Sequence, residues 1–196
     1  WRVAERTAGV ERMRLFVALP VPRAAQQAIG DLIKDFAVPD SPVRWVRQEG
    51  LHLTLKFFGE VEETKVSEIS TALGRTTAGM SPLAVTASEL NGFPALERAR
   101  VVWIGLDAPP ALELLAHRVE QECEALGFPG EARVFHPHVT LGRVKDGARL
   151  DRFSLRRLST IRPSIPFVLD AMVLFVSRLG PGGAVHTPLA NFPLSH

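Results

Sequence analysis

Two short stretches carry the chemistry: His52-Leu53-Thr54-Leu55 and His138-Val139-Thr140-Leu141. Each places an imidazole two residues before a hydroxyl, with aliphatic residues between and after. On a strand, residues i and i+2 share a face. Histidine and threonine therefore project together, while the aliphatic residues pack on the other side. Strict alternation along LHLTLKFF assigns Leu51, Leu53, Leu55 and Phe57 to the packed face and His52, Thr54 and Lys56 to the opposite one. The chain has six His and ten Thr, so roughly 0.3 His-x-Thr triplets are expected by chance. A pair with matching flanks is a signal where a single one is not.

Two imidazoles suit the breaking or making of a phosphodiester at a ribose. One takes a proton from the attacking oxygen and the other gives one to the leaving oxygen. Imidazole titrates near neutrality, so one can be neutral while the other is charged. Each threonine hydroxyl can donate to a nonbridging phosphate oxygen as charge shifts. The scheme asks for no metal and no cofactor. The catalytic candidates are His52, Thr54, His138 and Thr140.

Four further residues are candidates for holding a substrate. Lys56 and His136 have the parity of the neighbouring histidines. Arg143 lies five residues after His138, which by alternation puts it on the wrong face, but a bend near Gly142 can return it to the site. Phe16 is a candidate platform for a base. Trp45 and Trp103 read as packing residues, and the arginines of 149–157 as a solvated face. Cys123 reads as structural.

The elements that must position these groups are legible in outline. Residues 14–20 read as a buried strand, followed by a helix opening at Pro22 with apolar residues at helical spacing to Phe36. A short strand at 43–46 precedes the strand 51–58, which Gly59 ends. A second helix is marked by Val66, Ile69 and Leu73 and closes near Gly74 or Gly79. Strands at 83–90 and 100–106 flank a connection at 91–94, and a third helix opens at Pro109-Pro110. Strands at 138–144, 167–176 and 184–189 follow, the last two joined by a hairpin at 179–183. Interleaved helices and strands of this kind imply an α+β fold with antiparallel or mixed sheets and helices outside.

The 196 residues hold 46% hydrophobic and 22% charged side chains, an ordinary globular balance that excludes a disordered or collagen-like chain. No apolar run reaches the ~20 residues of a membrane helix. A single cysteine excludes an internal disulfide and fits a cytoplasmic protein. The net charge is only +2, so any polyanion must be met by a local site rather than by bulk charge. Residues 1–12 show no period and read as a poorly ordered extension, leaving 13–196 as one large domain or two small, tightly joined lobes.

On its motifs the sequence resembles the 2H phosphoesterase superfamily, and more narrowly the bacterial and archaeal RNA 2′,3′-cyclic phosphodiesterases, once called 2′-5′ RNA ligases. The matching stretches are RLFVALP (14–20), LHLTLKFFGEV (51–61), VVWIG (101–105), FHPHVTLGR (135–143) and HTPL (186–189). They span nearly all of 13–190 in order. The resemblance implies that 13–196 is a single two-lobed domain, its two related lobes facing each other across a cleft with one His-x-Thr strand from each lining it. It implies hydrolysis of RNA 2′,3′-cyclic phosphate ends to 2′-phosphomonoesters, with 2′-5′ ligation as the reverse reaction. His52 is then the acid and His138 the base, Arg143 sits where the family places a basic residue, and a monomer suffices.

Small cyclic nucleotides, ADP-ribose cyclic phosphate and tRNA fragments are compatible with the same two histidines. Two other classes compete. One is a metal-dependent hydrolase using His52, His136 and His138, which leaves the paired threonines unexplained. The other is a nonenzymatic RNA-binding module, which would want more aromatics and a basic face.

Overall fold

The computed structural model describes residues 11–180 and 183–195. Nine strands and four α-helices follow one another as β1 (Arg12–Pro20), α1 (Arg23–Ile33), β2 (Val43–Trp45), β3 (His52–Glu62), α2 (Val66–Thr76), β4 (Leu83–Phe93), β5 (Val101–Asp107), α3 (Pro110–Ala125), β6 (His138–Val144), α4 (Arg152–Thr160), β7 (Ile165–Leu169), β8 (Ala171–Gly180) and β9 (Gly183–Pro193). The α+β class expected from the sequence is the one observed.

The strands run in the order β7-β4-β5-β6-β3-β1-β8-β9, every pair antiparallel, with β2 added to β6. The order is two-fold symmetric about its middle. β3, β1, β8 and β9 form one half, and β6, β5, β4 and β7 form the other. The halves meet through one cross-strand pair, Leu53 with Val139. These are the residues between His and Thr in the two motifs. Both are fully buried, each contributing roughly 1.5–3 kcal/mol by leaving water.

Helices cover the face into which Leu53 and Val139 point. α3 buries Leu112, Leu115, Ala116, Val119 and Cys123 and packs on β3 and α2. α1 follows β1 in one half yet packs on β7 in the other. The chain thus crosses between halves, which holds the joint closed although a single strand pair bridges it.

Several boundaries differ from the sequence reading. β1 begins at Arg12, inside the stretch expected to be irregular, because Arg12 pairs with Glu62; residues 1–10 of the expected extension lie outside the described residues. β3 runs past Gly59 to Glu62, Gly59 taking a φ of 72° that glycine alone adopts freely. The apolar run 167–176 is two strands broken at Asp170, β7 on one edge of the sheet and β8 in the far half. An apolar run carries no information about its partner strand. The segment 152–160, read as a solvated basic stretch, is helix α4. Asp151 caps it by accepting from the Ser154 N–H at 2.8 Å, a contact worth about 1 kcal/mol. Residues 181–182 of the expected hairpin lie outside the described residues.

Candidate active site

The Leu53–Val139 pair sets the site. Its neighbours His52, Thr54, His138 and Thr140 all turn to the face opposite the helices, and all four are half-buried. Alternation puts each histidine and its threonine on one face, and the Leu53–Val139 pairing brings the two motifs together on one surface.

Each imidazole is anchored in the same way. Nδ1 of His52 lies 2.7 Å from the carbonyl oxygen of Gly50, and Nδ1 of His138 lies 2.7 Å from that of His136. A carbonyl only accepts, so each Nδ1 carries the proton and donates it. Each Nε2 is left free for chemistry. The Thr54 and Thr140 hydroxyls have no partner among the described residues and remain available to a ligand.

The two rings sit in aromatic surroundings. His52 packs on Phe16 at 5.0 Å between centroids and meets His186 edge-on at 5.5 Å. His138 meets Phe93 edge-on at 5.0 Å and Trp103 at 5.8 Å. Burial pushes the His52 imidazole down to about 4, against the Gly50 hydrogen bond that favours its charge and with nearby His186 adding repulsion. Burial also lowers His138, opposed by the His136 carbonyl bond and aided by the His136 ring. Near neutral pH both free imidazoles are therefore uncharged, and a phosphate anion placed between them favours the return of one proton.

Past each threonine the strand bulges, and this revises the parity of three residues. In β3, Thr54 pairs with Ala18 but Lys56 with the next residue, Val17, so Leu55 is extra. In β6, Thr140 pairs with Trp103 but Gly142 with Val102, so Leu141 is extra. One extra residue flips every later side chain to the other face. Lys56 is thereby turned away from the histidines, contrary to its assignment as a substrate ligand. It is buried under α3 and the loop that follows it, its Nζ 2.6 Å from Glu120 Oε2 and 2.9 Å from the Pro129 carbonyl. Phe57, expected on the packed face, instead stands on the open face with 62% of its surface exposed. Arg143 is brought onto the face of His138 and Thr140, exposed and without an ion pair among the described residues.

Phe16 is also corrected. It is 2% exposed, covered by His52, Phe57, Phe175 and His186. It lies under the site as its floor, because β1 has a strand on each side and aromatic rings above. Phe57, which alternation hid, is the aromatic a base can reach. His136 is exposed, edge-on to Trp103 at 5.0 Å. It borders a cavity of about 530 Å³ that also touches Phe93, Asn91 and Arg162. His186, edge-on to His52, stands beside the site outside the His-x-Thr pattern, and its only cue in the sequence is its place in the closing HTPL stretch.

No cluster of three His, Cys, Asp or Glu among the described residues is placed to hold a metal ion. Cys123 is buried under β3, and burial pushes its thiol up to about 12. It is a packing residue with no nucleophilic character. No helix among the described residues is long and apolar enough to cross a membrane.

A two-fold sheet that presents one His-x-Thr pair from each half defines a two-histidine phosphoesterase. The model of the 2′-5′ RNA ligase superfamily matches residues 21–181. The RNA 2′,3′-cyclic phosphodiesterase of Thermotoga maritima is 30% identical over 177 residues, covering 90% of this chain and 93% of the relative. That of Methanothermobacter thermautotrophicus is 29% identical over 185 residues, covering 93% and 100%. Among solved structures, Escherichia coli LigT complexed with 3′-AMP superposes with a TM-score of 0.77 at 27% identity over 95% of this chain and all of the other. The Thermus thermophilus protein TT0787 gives 0.79 at 28% over 93% and 98%. The chain belongs to the 2′-5′ RNA ligase superfamily of two-histidine phosphoesterases, in its RNA 2′,3′-cyclic phosphodiesterase family.

Proposed function

We propose that this enzyme hydrolyses RNA 2′,3′-cyclic phosphate ends to 2′-phosphomonoesters without a metal. The observation that carries the reading is the matched pair of imidazoles, each with Nδ1 held by a backbone carbonyl and Nε2 free on the shared face. His138 Nε2 takes a proton from water as its oxygen attacks phosphorus. The bond from phosphorus to O3′ breaks, and His52 Nε2–H protonates the departing O3′. The product carries a 2′-phosphate and a 3′-hydroxyl.

Thr54 and Thr140 donate to the nonbridging oxygens, and Arg143 supplies a guanidinium whose fork fits a phosphate. Phe57 offers its exposed ring to the base of the reacting nucleotide, and His136 borders the path of the chain. Two of the related proteins named above are RNA 2′,3′-cyclic phosphodiesterases, and LigT binds 3′-AMP in its crystals; both support a nucleotide-bearing phosphate as the ligand. Small cyclic nucleotides are substrates of the same machinery, and 2′-5′ ligation is its reverse when ends are held together. Both His-x-Thr strands come from one chain, which supports action as a monomer.

The test is a short RNA ending in a 2′,3′-cyclic phosphate, incubated in EDTA and followed by phosphorus NMR. A 2′-monoester is the expected product. A 3′-monoester would reverse the leaving oxygen, and turnover only with added metal would overturn the scheme.

A further inference from the structure

β2 is the shortest strand, three residues long, and it lies against the end of β6 rather than within either half. Its register places Arg44 directly opposite Arg143, with Val43 opposite Val144 and Trp45 opposite Gly142. Val43 and Val144 are buried, so the two arginines turn to the other side, the face of His138. Directly opposed residues have Cβ atoms roughly 5 Å apart, and like charges there oppose strand pairing. Yet neither guanidinium has an ion pair or hydrogen bond among the described residues, and both are exposed.

The approach of β2 is built in. A Cβ on Gly142 would stand 2.5 Å from Val43 Cγ1 and 3.1 Å from the Arg44 carbonyl oxygen, so only glycine lets the strand come this close. Trp45 fixes it from the helix side, its Nε1–H donating to the Phe36 carbonyl at 3.2 Å and to Ser41 Oγ at 3.1 Å. A rigid strand therefore holds a second, uncompensated guanidinium beside Arg143. Two adjacent guanidinium forks without a carboxylate form a site for more than one phosphate.

We propose that Arg44 binds the phosphodiester on the 5′ side of the reacting nucleotide, while Arg143 serves the cyclic phosphate, so that the enzyme favours RNA ends over mononucleoside cyclic phosphates. This rests on the reading of the site as a cyclic phosphodiesterase. A mononucleoside 2′,3′-cyclic phosphate has no 5′ phosphodiester and leaves Arg44 unused. A dinucleotide engages both arginines.

The experiment compares kcat/KM for ApA ending in a 2′,3′-cyclic phosphate with that for 2′,3′-cyclic AMP. In the parent enzyme the dinucleotide is favoured. In Arg44→Ala the ratio of the two falls about tenfold, the scale of one charge-assisted contact, and in Arg44→Lys it falls less. The slope of log kcat/KM for the dinucleotide against log salt becomes shallower by about one unit of charge. Arg156→Gln, which removes the same charge from α4, leaves the ratio as it was. A ratio unmoved by Arg44→Ala overturns the proposal, as does an equal loss on both substrates, which would place Arg44 on the reacting phosphate. Calorimetric binding of ApA ending in a 2′-phosphate, set against 2′-AMP, reads the same ratio without turnover. A dinucleotide preference that Arg44→Ala abolishes there supports the subsite even if no cyclic phosphate is hydrolysed, and that latter result would sink the proposed reaction alone.

Discussion

The His52 and His138 strands are two versions of one device. Each holds Nδ1 on the carbonyl two residues back, at 2.7 Å. Each puts a threonine two residues on, bulges at the next leucine, and returns a long side chain to the open face five residues after the histidine. The difference lies in what is returned: an exposed phenylalanine at 57 and an exposed arginine at 143. Their neighbours diverge too. The residue after Leu55 is Lys56, drawn back to Glu120 of α3, whereas the residue after Leu141 is Gly142, which makes room for β2. In the proposed reaction the duplicated backbone supplies two equivalent proton-handling centres, and the unequal side chains give one a base-binding side and the other a phosphate-binding side.

The largest effect expected is from the shared part of the device. His52→Ala and His138→Ala should each lower kcat on an RNA cyclic phosphate by about 10²–10⁴-fold, read by phosphorus NMR or product chromatography. A large loss in only one of them would break the equivalence of the two centres. Next come the unequal positions. Arg143→Ala should cost about 10²–10³ in kcat, as does loss of a donor to developing charge. Phe57→Ala should cost about tenfold, chiefly in KM, the scale of one stacked base. If both act on kcat alone, or both on KM alone, the division of labour between the halves is wrong.

The pH profile sharpens the same comparison. Catalysis needs one charged and one neutral imidazole, and both titrate below their ordinary value in the free enzyme. The singly protonated form therefore declines as pH rises above the region of these lowered values, and kcat/KM declines with it. A bound anion raises both, so the alkaline limb of kcat should lie at higher pH than that of kcat/KM. Coincident limbs would show that the substrate does not restore the proton. The smallest catalytic effect is expected at Lys56. Lys56→Met should leave kcat/KM within about twofold, while lowering the midpoint of thermal unfolding. The variant strands the partly buried Glu120 carboxylate, at a cost of roughly 1–3 kcal/mol. A large loss of turnover in a folded Lys56→Met protein would return that lysine to the site.

The sequence by itself determined the paired His-x-Thr motifs, their common orientation over an aliphatic face, and most strands and helices, because periods of two and 3.6 residues are local properties. It also showed that Leu53 and Val139 must be buried, though not that they pair with each other. Only the tertiary structure decided which residues beyond the threonines stand on the open face beside the histidines. A bulge is set by the neighbouring strand's register, not by the alternation of the bulged strand, so Lys56 and Phe57 exchanged faces without any local sign. Phe16 lost its place as a base platform because strands on both sides of β1 and the rings above it cover it. Arg44 gained a place beside Arg143 because a three-residue strand, distant in sequence from β6, fits only where Gly142 leaves room. Contacts of this kind depend on which strands become neighbours, and that is decided by the whole chain closing on one core.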